Sequence, residues 1–84
     1  MSLRKQPDRS TVYTVWTIYQ NPSDFPGLYV ARPFDIGPDG SVTSGEAAML
    51  ATEIGPLRAE METRGLYCVP RQPHDDPVVV ETWL

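Results

Sequence analysis

The chain is poor in the residues that staple or arm small proteins. Of its 84 residues one is cysteine, one histidine and one lysine. A lone Cys68 excludes a disulfide within the chain, and one cysteine with one histidine cannot fill a four-ligand zinc shell. No stretch approaches the roughly 20 apolar residues of a membrane helix. The opening MSLRKQPDRS carries charge but no apolar core of a signal peptide. Together these absences imply a reducing, cytoplasmic setting without membrane insertion. There is no internal repeat. Gly37, Gly40 and Gly45 are spaced too loosely for a phosphate-binding loop, which would also need a lysine. No cofactor or metal is expected.

Charge of one sign is also scarce. Residues 1–10 hold Arg4, Lys5 and Arg9 against Asp8, whereas the rest holds four arginines against ten acids, for a net −4 overall. An acidic body repels phosphate backbones, so nucleic acid is not an expected partner. Residues 1–10 read as a flexible tail and 11–84 as a single domain. A core of this size supplies about 3–5 kcal/mol of net stability, which leaves tight packing or self-association to do the rest.

What is present begins with Thr11–Tyr19, TVYTVWTIY, apolar at both parities. Val12, Trp16 and Ile18 fall on one face of a strand, and Tyr13, Val15 and Tyr19 on the other. Such a strand belongs at the centre of a sheet with both faces covered. Gln20–Gly27 is turn chemistry, with Asn-Pro and Pro-Gly steps and Phe25 as a plug over the core end. Leu28–Ile36 is a second strand. Its Pro33 places it at an edge or ends regular pairing, and Arg32 is expected to reach water or pair with an acid.

Thr43 and Glu46 have the spacing of a capping box, and Ala47, Leu50, Ile54, Leu57 and Met61 form an apolar helical stripe. Gly55-Pro56 predicts a kink, or a break with Pro56 starting a second helical piece that runs to Arg64, the first piece being helical or partly extended. Glu60 and Arg64 are spaced as a surface pair, and Gly65 supplies a left-handed stop. Leu66–Val69 is a short strand stub, and Val78–Leu84 the last strand. The expected fold is α+β: a small two-layer sandwich, β-β-α-β, with an antiparallel sheet of three or four strands and one kinked or broken helix on one face. The helix is expected over Val12, Trp16, Ile18, Val30 and Phe34. That leaves Tyr13, Val15, Tyr19, Tyr29, Val79 and Trp83 as an aromatic face without cover.

Two stretches carry a resemblance: VYTVWTIYQNPSDFPGLYVARPF at 12–34 and LYCVPRQPHDDPVVVETWL at 66–84. The aromatic first strand, the V-A-R strand and the D-D-P turn into a terminal strand ending W-L resemble a group of short uncharacterised bacterial and phage-associated proteins. The two stretches span about half the chain. They hold no known chemical motif, and the resemblance implies no catalytic residue.

Two readings of function follow. In the first, the uncovered face binds protein, most simply a second copy of the chain, through that face or a sheet edge. In the second, Arg32, Arg71, His74, Asp75 and Asp76 build a small-molecule or anion site, with or without a minor enzymatic activity. The consecutive His74-Asp75-Asp76 can hardly converge on a metal, and an aspartate before Pro77 suits a turn. Cys68, in an apolar run, is expected to be a small buried thiol.

Overall fold

The computed structural model describes residues 13–44 and 48–84. It contains strands β1 (Tyr13–Gln20), β2 (Tyr29–Ile36), β3 (Val42–Ser44) and β4 (Met49–Ala51), helix α1 (Ile54–Thr63), and strands β5 (Cys68–Pro70) and β6 (Val79–Trp83). The strands form one antiparallel sheet of six in the order β3-β2-β1-β6-β5, with β4 also on β2. The sheet is therefore wider than the three or four strands expected, and β1 is its centre.

The turn after β1 fixes the geometry. Asn21 takes the left-handed backbone conformation, and its side-chain Oδ1 accepts the Gly27 N–H at 2.6 Å. The Asn21 N–H donates to the Leu28 carbonyl at 2.8 Å, closing the loop. Gln20 thus faces Tyr29, and the even number of residues between them pairs even positions of β1 with odd positions of β2. Directly opposed residues share a face. Trp16 opposes Pro33 and Ile18 opposes Ala31 on one face, while Val15 opposes Phe34 and Tyr19 opposes Val30 on the other. The Thr14 hydroxyl donates to Asp35 at 2.7 Å, as this register demands.

Leu57 and Met61 of α1 pack on Trp16, Ile18, Ala31 and Trp83, with Tyr29, Met49, Ala51, Ile54, Leu66 and Val80 around them. This corrects the expected division of the faces. Val30 and Phe34 lie away from the helix, and Tyr29 and Trp83 lie toward it. On β6, Ile18 opposes Glu81 and Tyr19 opposes Val79, so Val80 is a bulged residue. The bulge turns Val80 toward the core and leaves Val79 on the far face.

The segment before α1 departs further from expectation. Thr43 lies in β3 and Leu50 in β4, where Leu50 is 47% exposed and belongs to no helical stripe. Extended chain wins here because Val42–Ser44 pairs with Phe34–Ile36, and Met49–Ala51 pairs with Tyr29–Ala31. Arg32 and Pro33 are skipped on this side, and Pro33 has no N–H for a ladder. Pro33 thus interrupts pairing within an internal strand and does not set an edge. Thr11, Val12, Gly45, Glu46 and Ala47, with the tail 1–10, lie outside the described residues.

Pro56 is the third residue of α1, which runs from Ile54 to Thr63, so it does not open a second helical piece as expected. It sits in the first turn of α1, after an extended Glu53, where backbone N–H groups have no partner within the helix. At the other end, the Leu66 N–H donates to Met61 at 3.1 Å and the Gly65 N–H to Glu62 at 2.9 Å, with Gly65 at φ +79°. These two bonds form a Schellman stop. A Cβ at Gly65 would meet nothing within 4 Å, so the penalty of a side chain there is conformational only. Gly65→Ala is expected to lower stability by about 1 kcal/mol, measured by urea denaturation. A neutral result would show that the chain relaxes out of the left-handed conformation.

Among the described residues, one charged group is buried on the helix side. Glu81 accepts Arg58 Nε at 3.0 Å, Arg58 Nη2 at 2.9 Å and Trp83 Nε1 at 2.8 Å. The Arg58 hydrogen bonds hold its carboxyl below the ordinary value of 4.5, against the opposing effect of burial. Arg64 pairs with Glu60 at 2.9 Å and lies 4.9 Å above the Trp16 ring.

Candidate interaction face and cavity

The face opposite α1 is built by the register. Across β3, β2 and β1, Val42, Ile36 and Tyr13 stand in one row; across β4, β2, β1 and β6, Leu50, Val30, Tyr19 and Val79 stand in another. Val15 and Phe34 lie between these rows. Among the described residues no helix lies on this face. Tyr13 is 52% exposed and Val42 59%. Of the six expected interface residues, Tyr13, Val15, Tyr19 and Val79 are here; Tyr29 and Trp83 are on the helix side. Sequence reasoning missed Ile36, Phe34, Val42 and Leu50. For Ile36 and Phe34 the signal was the even loop length, which sets their parity against β1.

At the Tyr19 end the face is concave. A cavity of about 540 Å³ is lined by Tyr19, Pro22, Arg32, Phe34, Asp76 and Val78, among others. The Arg32 guanidinium lies 5.6 Å from the Tyr19 ring centroid and 5.8 Å from that of Phe25. It forms an ion pair with Asp24, whose carboxyl this hydrogen bond holds below its ordinary range. Phe25 therefore flanks Arg32 at the end of the sheet. Burial raises the Tyr19 phenol; the Arg32 charge pulls it down and the Asp76 charge pushes it up, so both charged groups bear on this hydroxyl.

The polar residues expected to form one site are used differently. Arg32 and Asp76 line the same cavity. Arg71 donates to the Asp75 carbonyl at 3.0 Å, and the Asp75 carboxylate accepts the Gln72 N–H at 2.8 Å, which folds the 70–78 loop on itself. The Asp76 Oδ1 accepts the Val78 N–H at 3.1 Å and guides entry to β6. His74 is exposed and does not line the cavity. Among the described residues no three His, Cys, Asp or Glu side chains form a metal-holding group.

Cys68 is exposed on β5, opposite Trp83, which corrects the expectation of a buried thiol. A strand of three residues at the sheet edge cannot enclose it. Desolvation of the thiol end raises it above its ordinary value of 9.0, and the Glu81 charge acts in the same direction. A raised thiol is a poor nucleophile at neutral pH. Among the described residues no helix is long and apolar enough to cross a membrane. No family model matches the chain, and no curated protein or solved structure is found to be similar to it.

Proposed function

We propose that this chain is a protein-interaction module that self-associates through the helix-free face of its sheet. The observation that carries the reading is the contiguous apolar surface of Tyr13, Val15, Tyr19, Phe34, Ile36, Val42 and Leu50, with its helix on the other side. Large contiguous apolar patches mark interfaces. The size of the face fits a second copy. With eight residues in β1, a rise of about 3.4 Å per residue and strand spacings of about 4.8 Å give a flat footprint near 500 Å² per copy. Two such faces reach about 1,000 Å² before side-chain relief is added, at the threshold for a specific interface.

The sheet edges are less suited to the task. β3, β4 and β5 have three residues each, and β5 ends in Pro70. Short, proline-blunted edges discourage strand addition. A two-fold axis in the plane between two copies, perpendicular to β1, sets the Tyr13 end of one over the Tyr19 end of the other and closes the assembly.

Sedimentation velocity across a concentration series tests this. The expected result is a dimer for the native chain and a monomer for Tyr13→Glu with Leu50→Glu. Both positions are about half exposed, so the variant is expected to keep its fold, with an unchanged circular dichroism spectrum. A native chain that is monomeric at high micromolar concentration ends the proposal. A folded variant that stays dimeric places the interface elsewhere.

A further inference from the structure

The cavity at the Tyr19 end shares Tyr19 and Phe34 with the self-association face but has a chemistry of its own. We propose that it binds a small organic cation, an amine or amidine carried on a flat apolar body. Its volume of about 540 Å³ lies within the range of small-ligand sites. Tyr19 and Phe34 supply aromatic surface, and Pro22 and Val78 apolar walls. Aromatic faces attract cations through the ring quadrupole.

The charges decide the sign of the ligand. Arg32 is already neutralised by Asp24 and set against the Tyr19 and Phe25 rings. Asp76 uses Oδ1 to accept the Val78 N–H, and among the described residues it forms no ion pair. Among the described residues the charged lining is Arg32 and Asp76; Asp24, outside the lining, pairs with Arg32 and leaves Asp76 as the lining charge without an ion pair. An anion would share the Arg32 guanidinium with Asp24 and then face Asp76. A cation meets a free carboxylate, and the acidic body draws it in. The small-molecule or anion site expected from the sequence is here read as a cation site, because Arg32 is paired with Asp24.

The experiment is an NMR titration of the full chain with three probes of like shape: benzamidine, benzyl alcohol and benzoate. Benzamidine is expected to shift the amide signals of Tyr19, Phe34 and Val78, with benzyl alcohol weaker and benzoate weakest. Asp76→Asn keeps an oxygen to accept the Val78 N–H and removes only the charge. It is expected to weaken benzamidine about five-fold, the upper end for an exposed ion pair, and to leave benzyl alcohol unchanged. Benzoate binding as tightly as benzamidine overturns the proposal, as does the absence of shifts at about 10 mM benzamidine, a concentration at which even weak binding is seen. The probe series needs no substitution, so it decides the sign of the charge even where Asp76→Asn disturbs the 70–78 loop.

Discussion

Replacing Arg58 by alanine is expected to cost about 3 kcal/mol of stability at neutral pH, because it strands a buried carboxylate. Glu81 is 5% exposed and takes two hydrogen bonds from the Arg58 guanidinium. Without Arg58 the charge keeps Trp83 Nε1 as a donor. The Arg58 side chain is itself about half exposed, so water enters the gap and the loss falls at the low end of the range for broken buried pairs. Glu81→Gln is milder: the amide oxygen still accepts from Trp83, and the guanidinium turns to solvent.

The effect carries a pH signature whose sign follows from the direction of the shift. Folded Glu81 titrates below its ordinary 4.5, so its contribution is fully present above that value and is lost as pH falls through the lowered one. In Arg58→Ala the dominant lowering interaction is gone, and burial pushes the carboxyl up. The variant is then relieved by protonation while the native chain is weakened by it. Urea denaturation at about pH 7 and about pH 4 is expected to show the stability gap narrowing on acidification. A constant gap would mean that Arg58 acts through its aliphatic packing and not through Glu81.

This ion pair also shows where the sequence stopped being legible. Glu81 alternates with Val80 and Thr82, and nothing local marks it as buried. Its partner is 23 residues away on α1. The elements with strong local signals were readable: the period-two runs of β1, β2 and β6, the Gly65 stop and the Glu60–Arg64 pair. What failed depended on pairing. Met49–Ala51 fits a helical stripe in sequence, but β2 offers it a strand edge beyond the Pro33 interruption. The faces of β1 and β2 were each read correctly as alternating sets. Their relative parity was not, because it depends on how many residues the Asn21–Gly27 turn leaves between paired positions. One step of parity moved Phe34 and Val30 out from under the helix, and so brought Phe34 and Ile36 into the candidate interface and took Tyr29 out of it. Arg32 was legible as an arginine in need of an acid, but Asp24 as that acid was not.

That parity has a direct energetic test in two neighbours on β1. Ile18→Ala is expected to cost about 3 kcal/mol, since Ile18 is fully buried against Leu57 and Met61 and its loss leaves a cavity between helix and sheet. Val15 points the other way, beside Phe34, and is only half-buried. In the monomer, Val15→Ala is expected to cost about 1 kcal/mol or less, in proportion to the apolar area it hides. Self-association adds a second difference. Because dimer formation stabilises the folded chain by mass action, the Val15→Ala penalty is expected to grow with protein concentration, while that of Ile18→Ala stays constant. Urea unfolding of both variants at two concentrations far apart reads out fold and function together. Equal penalties would reverse the assignment of the two faces. A small Val15 penalty that does not change with concentration would keep the faces as described and remove Val15 from the interface.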